Sequence, residues 1–148
     1  MFHSLLIVQH SIFNISLLIL GVLIIIGTYY LHRIFQAKIL TVLLTITAVG
    51  CMCVGIFTEH NEPMHSIASS VVFLFGGLSV IVSSRWIQQP FSYVSLVLGI
   101  ISLGALLLYG VHQYLGVGVG GMERMIVYPL LTWMMGFGGY LGAYTKTS

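Results

Sequence analysis

The stretch "EHNEPMH" places Glu59, His60, Glu62 and His65 within seven residues of a chain that has three acidic residues and six histidines in all. These are side-chain types that ligate zinc or copper, and that move protons in acid–base catalysis. A metal centre would draw on His60, His65 and His112, with Glu59 and Glu62 as further donors. Met64, Met122 and Met125 would turn its preference toward Cu(I), although methionine is also common filler in apolar helices. The spacing is not that of HExxH, so zinc or copper enters without a recognised ligand motif. An acid–base hydrolase would instead use His65 as the base and Ser66 or Ser69 as a polar helper, with Glu59 or Glu123 as partner. No serine sits in a nucleophile elbow.

A second group opens the last apolar segment, where Glu123 and Arg124 are followed by Tyr128, one helical turn beyond Arg124. Ionisable residues at membrane depth pair with one another or mark a functional site. Two readings follow: Arg124 clasps Glu59, Glu62 or Glu123, or the same residues bind a ligand. Just ahead, "GVGVGG" (116–121) lacks the Lys-Ser/Thr of a phosphate-binding loop and has no strand before it. It reads as a flexible connection whose bare amides, beside Arg124, suit an anion such as a lipid phosphate.

The elements that position these groups follow from composition. Of 148 residues 58% are hydrophobic and 5% charged, and aspartate is absent; mean hydropathy is +1.06. Soluble domains carry about 25% charged residues, which excludes a cytosolic globular protein. The net charge of +2 comes from scattered residues, so no nucleic-acid surface is expected. Apolar runs near bilayer thickness predict an all-α, polytopic transmembrane bundle forming one domain over 1–148. Its five spans run roughly 4–31, 37–57, 65–84, 90–111 and 123–145. A β-barrel would need polar alternation that the chain lacks. The first segment has no basic start and no small-residue cleavage site, so it is expected to remain as a membrane helix.

Arg33, Lys38, Arg85 and Lys146 fall on one side of five alternating spans and Arg124 on the other. The positive-inside rule then predicts an outside N-terminus and a cytoplasmic C-terminus. With that topology, every glutamate and every histidine except His32 meet at the outer end. His3, His10 and Asn14 share one face of the first helix, which Gly21 continues, and Asn14 is expected to hydrogen-bond between helices or line a cavity. Close packing accounts for His65, Ser69 and Phe73 with Gly76 or Gly77 and for the Ser66 and Ser70 row, and the Gly138 and Gly142 pair is expected to serve helix contact, within the bundle or with a partner chain. Pro63 and Pro90 suit helix starts, and Pro129 should leave a carbonyl near Met125 without its helical donor. Cys51 and Cys53 point about 200° apart on a helix and read as small buried hydrophobes.

Three segments carry a resemblance: "SIFNISLLILGVL", "VGIFTEHNEPMHSIASSVVFLFGGLSVI" and "GGMERMIVYPLLTWMMGFGGYL". In this order they resemble the uncharacterised membrane family called domain of unknown function 998, over roughly Ser11 to Leu141. The resemblance carries over to Phe13, Asn14, Gly55, Phe57, Glu59 and His65, then to Glu123, Arg124, Tyr128, Pro129 and Trp133. Thr58 departs from the family's proline, and family members have a further helix ahead of the first motif. The family implies a small helical bundle, distantly similar to FRAG/DRAM-type proteins, and no established activity.

The leading expectation is a non-enzymatic, multi-pass protein of the cell membrane. Its outward cluster of Asn14, Glu59, His65, Glu123, Arg124 and Tyr128 would bind a ligand, a lipid headgroup or a partner. Membrane lipids are the expected partners, with a larger membrane complex as a further one for which this chain is an accessory subunit. The rival is an intramembrane hydrolase, metal-assisted or acid–base, acting on a lipid at the outer leaflet through His65, Glu59 and Glu123.

Overall fold

Backbone amides that face hydrocarbon have no water to bond, so an apolar chain satisfies them within helices. The computed structural model describes the backbone of residues 2–57 and 62–147, and the side chains of 11–57 and 63–143. Within the described residues the chain is all-helical. The elements are α1 (Phe2–Phe35), α2 (Lys38–Ile56), α3 (Glu62–Ser83), α4 (Phe91–Gly110) and α5 (Gly118–Thr147). Four segments are long and apolar enough to cross a membrane: Ser11–Phe35, Lys38–Ile56, Pro63–Ser83 and Phe91–Gly110. The fifth helix has 30 residues but carries Glu123, Arg124 and many glycines, which lower its mean hydropathy.

Two boundaries differ from the sequence reading. The first helix continues past the apolar run through Arg33 to Phe35, and the chain turns at Gln36 (φ 51°). The last helix starts at Gly118, so "GVGG" (118–121) is its first turn and not part of a flexible connection. Gly116 (φ 79°) and Gly118 (φ 74°) supply the left-handed backbone that turns the chain, and helical bonding resumes directly afterwards. Hydropathy marks where hydrocarbon begins, which is not where helical hydrogen bonding begins.

The chain divides into two compact units, Met1–Phe75 and Gly76–Ser148, the division falling inside α3. In the first unit, α1 and α2 are joined by a short turn. His32 donates from Nδ1 to Thr41 Oγ1 at 3.0 Å, and that hydroxyl donates to the Ala37 carbonyl at 2.9 Å. Small residues then let the two helices close together. A Cβ on Gly21 would lie 2.9 Å from the Ala48 carbonyl oxygen, and one on Gly55 would lie 2.9 Å from that of Asn14. Buried Cys51 donates from Sγ to the Leu17 carbonyl at 3.4 Å, while Cys53 is half-buried. On another face of α2, Gly50 packs against Val71 and Val72 of α3.

In the second unit, Gly99 of α4 seats against the α3 backbone. Its missing Cβ would stand 3.1 Å from Ile81 N and 3.2 Å from the Gly77 carbonyl oxygen. The buried face of α5 runs Met122, Ile126, Leu130, Trp133 and Phe137, a helical stripe of three- and four-residue steps. Phe137 stacks on Trp133 at 4.7 Å and on Tyr140 at 6.4 Å, and Tyr140 also stacks on Phe91 at 6.0 Å. The Tyr140 hydroxyl accepts a hydrogen bond from the Gln88 amide.

One close-packing expectation needs correction. Ser66 and Ser70 are exposed, and Ser70 bonds back to the Ser66 carbonyl; the fully buried serines of α3 are Ser79 and Ser83. A Cβ at Gly138 or Gly142 would meet nothing within 4 Å.

Backbone obstruction and open space make different predictions for alanine. Gly55→Ala and Gly99→Ala should each cost about 1–3 kcal/mol through overpacking, read as a lower unfolding temperature in mild detergent. Gly139→Ala, which meets nothing within 4 Å, should unfold at or slightly above the parent temperature.

Candidate functional site

In the first unit, the site residues converge on the last turn of α2. That helix ends at Ile56, and Phe57 leaves it with extended ψ. The Phe57 carbonyl is met by His65 Nδ1 at 2.8 Å. A carbonyl can only accept, so Nδ1 carries the proton in this bond, and a neutral ring keeps its lone pair on Nε2. From the other side, the Asn14 backbone carbonyl presses on Gly55. Asn14 and His65 are therefore held two residues apart along α2, one by close packing and one by a hydrogen bond. Thr58, Glu59, His60 and Asn61, together with the side chain of Glu62, lie outside the described residues.

In the second unit, the site forms where α4 ends and α5 begins. The Tyr109 hydroxyl donates to Glu123 Oε1 at 3.1 Å. The Tyr109 ring meets Tyr114 edge-on at 6.0 Å, and His112 Nδ1 lies 2.8 Å from the Tyr114 hydroxyl. His112 (φ 58°) and Leu115 (φ 49°) hold left-handed backbone, which costs a non-glycine residue about 1–2 kcal/mol. Glu123 is thus committed to Tyr109. Arg124 points to a different, exposed face and takes part in no ion pair among the described residues. Tyr128 is 58% exposed and follows Arg124 by one turn on that face. The Arg124–Glu123 version of the clasp is replaced by the Tyr109–Glu123 bond.

Below this end, polar contacts continue along the pair of helices. The Ser102 hydroxyl donates to the Ile126 carbonyl at 2.9 Å. That carbonyl is one residue beyond the one Pro129 leaves without its helical donor, so the freed region of α5 is met by a side chain of α4. Further on, Trp133 Nε1 donates to Ser95 Oγ at 3.0 Å, and that hydroxyl donates to the Phe91 carbonyl. The sequence reading missed Ser95, Ser102, Tyr109 and Tyr114. The signal available was the seven-residue interval of Ser95, Ser102 and Tyr109, which keeps three hydrogen-bonding residues on one helical face.

Among the described residues no group of three His, Cys or Glu comes together that could hold a metal ion. His65 and His112, the described metal candidates, have their Nδ1 atoms engaged by Phe57 and Tyr114. Nor is any described hydroxyl hydrogen-bonded to His65. Among the described residues the arrangement holds helix ends together and leaves Arg124 exposed without an ion pair, one helical turn from the exposed Tyr128.

The family model described as "Protein of unknown function (DUF998)" matches residues 7–140. No curated protein and no solved structure matches the chain.

The Tyr109–Glu123 bond makes a prediction by double-mutant cycle. Tyr109→Phe and Glu123→Leu should each lower stability by about 1 kcal/mol, read from thermal unfolding. Their combination should cost no more than either alone. Glu123→Gln, whose amide oxygen still accepts from Tyr109, should stay near the parent.

Proposed function

The chain belongs to the DUF998 family of proteins of unknown function, and we propose on that premise that it is a small multi-pass membrane protein that binds an anionic lipid headgroup. In this reading α5 is a fifth span. Its 30 residues reach about 45 Å, beyond the hydrocarbon thickness of about 30 Å. Arg33, Lys38, Arg85 and Lys146 then favour a cytoplasmic C-terminus and an outside N-terminus, with the cell membrane as the location. The α2–α3 and α4–α5 connections both face outward under that topology. Asn14, Glu59 and His65 belong to the first, and Glu123, Arg124 and Tyr128 to the second.

The observation that carries the binding role is the engagement of Glu123 by Tyr109. It leaves the Arg124 guanidinium without a competing carboxylate on its own helix. Tyr128 adds a hydroxyl one turn along the same exposed face. Guanidinium and phosphate make paired, charge-assisted hydrogen bonds, and a tyrosine at the level of the headgroups suits the interface.

Lipid retention tests this. The protein is purified in mild detergent, and bound phospholipid is quantified by native mass spectrometry. The parent should retain an anionic lipid. Arg124→Gln should weaken that retention about tenfold, the loss of one charge-assisted hydrogen bond, and Arg124→Lys should largely restore it. Equal retention by the parent and Arg124→Gln would remove the assignment.

A further inference from the structure

We propose that the α4–α5 connection, residues 111–117, sits within the interfacial layer of the bilayer, with its aliphatic side chains among the lipid acyl chains and not in water. Three independent features meet in this segment. The first is charge. From Trp86 to Met122 the chain contains no Asp, Glu, Lys or Arg, so this connection carries none, whereas Arg33 and Lys38, Glu59 and Glu62, and Arg85 lie in or beside the other three.

The second is the exposed surface. Val111 and Leu115 are each 63% exposed, Val117 52% and Val119 48%. This surface continues from Leu107, which is 73% exposed in the last turns of α4. Leu115 also holds a left-handed backbone while its side chain buries little within the protein. A segment that met water would gain nothing from presenting these groups, while one that meets acyl chains removes them from water entirely.

The third is the backbone. The amides of Val111, His112, Gln113 and Val117 donate to the carbonyls of Leu107, Tyr109, Leu108 and Tyr114. These bonds leave four amides of the connection with no need of water, which suits a medium of low dielectric. Within the connection His112 pairs with Tyr114, and across the flanking helix ends Tyr109 pairs with Glu123. The two tyrosines have the apolar body and polar tip that suit the headgroup boundary. This inference does not depend on lipid binding at Arg124, and it survives if Arg124→Gln leaves lipid retention unchanged.

The test is depth measurement by spin label. Leu115→Cys, Val117→Cys and, as a reference in the α3–α4 connection, Gln88→Cys are labelled and reconstituted in phosphatidylcholine vesicles. The unsubstituted chain, with Cys51 and Cys53 inside α2, sets the background. Collision rates are measured with oxygen, which concentrates in hydrocarbon, and with a water-soluble nickel chelate. The oxygen-to-nickel ratio at positions 115 and 117 should exceed that at 88 several-fold. Equal ratios at all three positions would overturn the proposal. Labels at 115 and 117 that are shielded from both reagents would also overturn it, because protein would then cover the segment.

Discussion

In hydrocarbon, a hydroxyl or amide has only other protein groups to bond, and this single constraint arranges the interior of the chain. Ser79, Ser83, Ser95 and Ser102 are wholly buried, and Thr47 nearly so, while Leu107 is 73% and Met135 81% exposed. A water-soluble fold would reverse that distribution. The serines and threonines are satisfied in two ways. Thr47 and Ser83 bond to carbonyls of their own helices, and Ser102 reaches the backbone of a neighbouring one. Among the described buried side chains, Thr28 Oγ1 is the polar atom left without a partner.

The α4–α5 pair shows how the constraint becomes a site. Ser95, Ser102 and Tyr109 recur every seven residues on α4 and meet Trp133, Ile126 and Glu123 of α5. Interhelical bonds of this kind are worth about 1 kcal/mol each in a membrane. Their main effect here is register, since each fixes a point on one helix against a point on the other. Pro129 fits the same logic, because the helix it interrupts is met nearby by the Ser102 hydroxyl. At the α4–α5 turn end of the seam Glu123 is the acceptor, and its neighbour Arg124 stands on the exposed side.

The helices were legible because long apolar runs mark them: five helices occupy the five predicted runs, and four of these are long and apolar enough to cross a membrane. The face of α1 through Asn14 and Gly21 does meet α2, through Gly21 and the Asn14 backbone carbonyl, whereas the sequence reading assigned Asn14 a side-chain role. Interior faces were much less legible. Lipid-facing and core positions are both apolar in a membrane protein, so periodicity no longer separates them. Ser66 and Ser70 looked suited to packing, yet the fully buried serines of α3 are Ser79 and Ser83. The start of α5 was hidden because glycines break a hydropathy pattern whether they form a turn or the first turn of a helix. Tyr109 stayed unseen because its partner is on another helix, and one sequence carries no record of that pairing.

The central claim is that hydrocarbon is the solvent and the small polar residues turn away from it. An apolar diazirine reagent dissolved in the bilayer, activated by light and mapped by mass spectrometry, measures this directly. The account predicts adducts on Ile19, Val97, Leu107 and Met135, and none on Ser95, Ser102 or Trp133. Comparable labelling of both sets would contradict it.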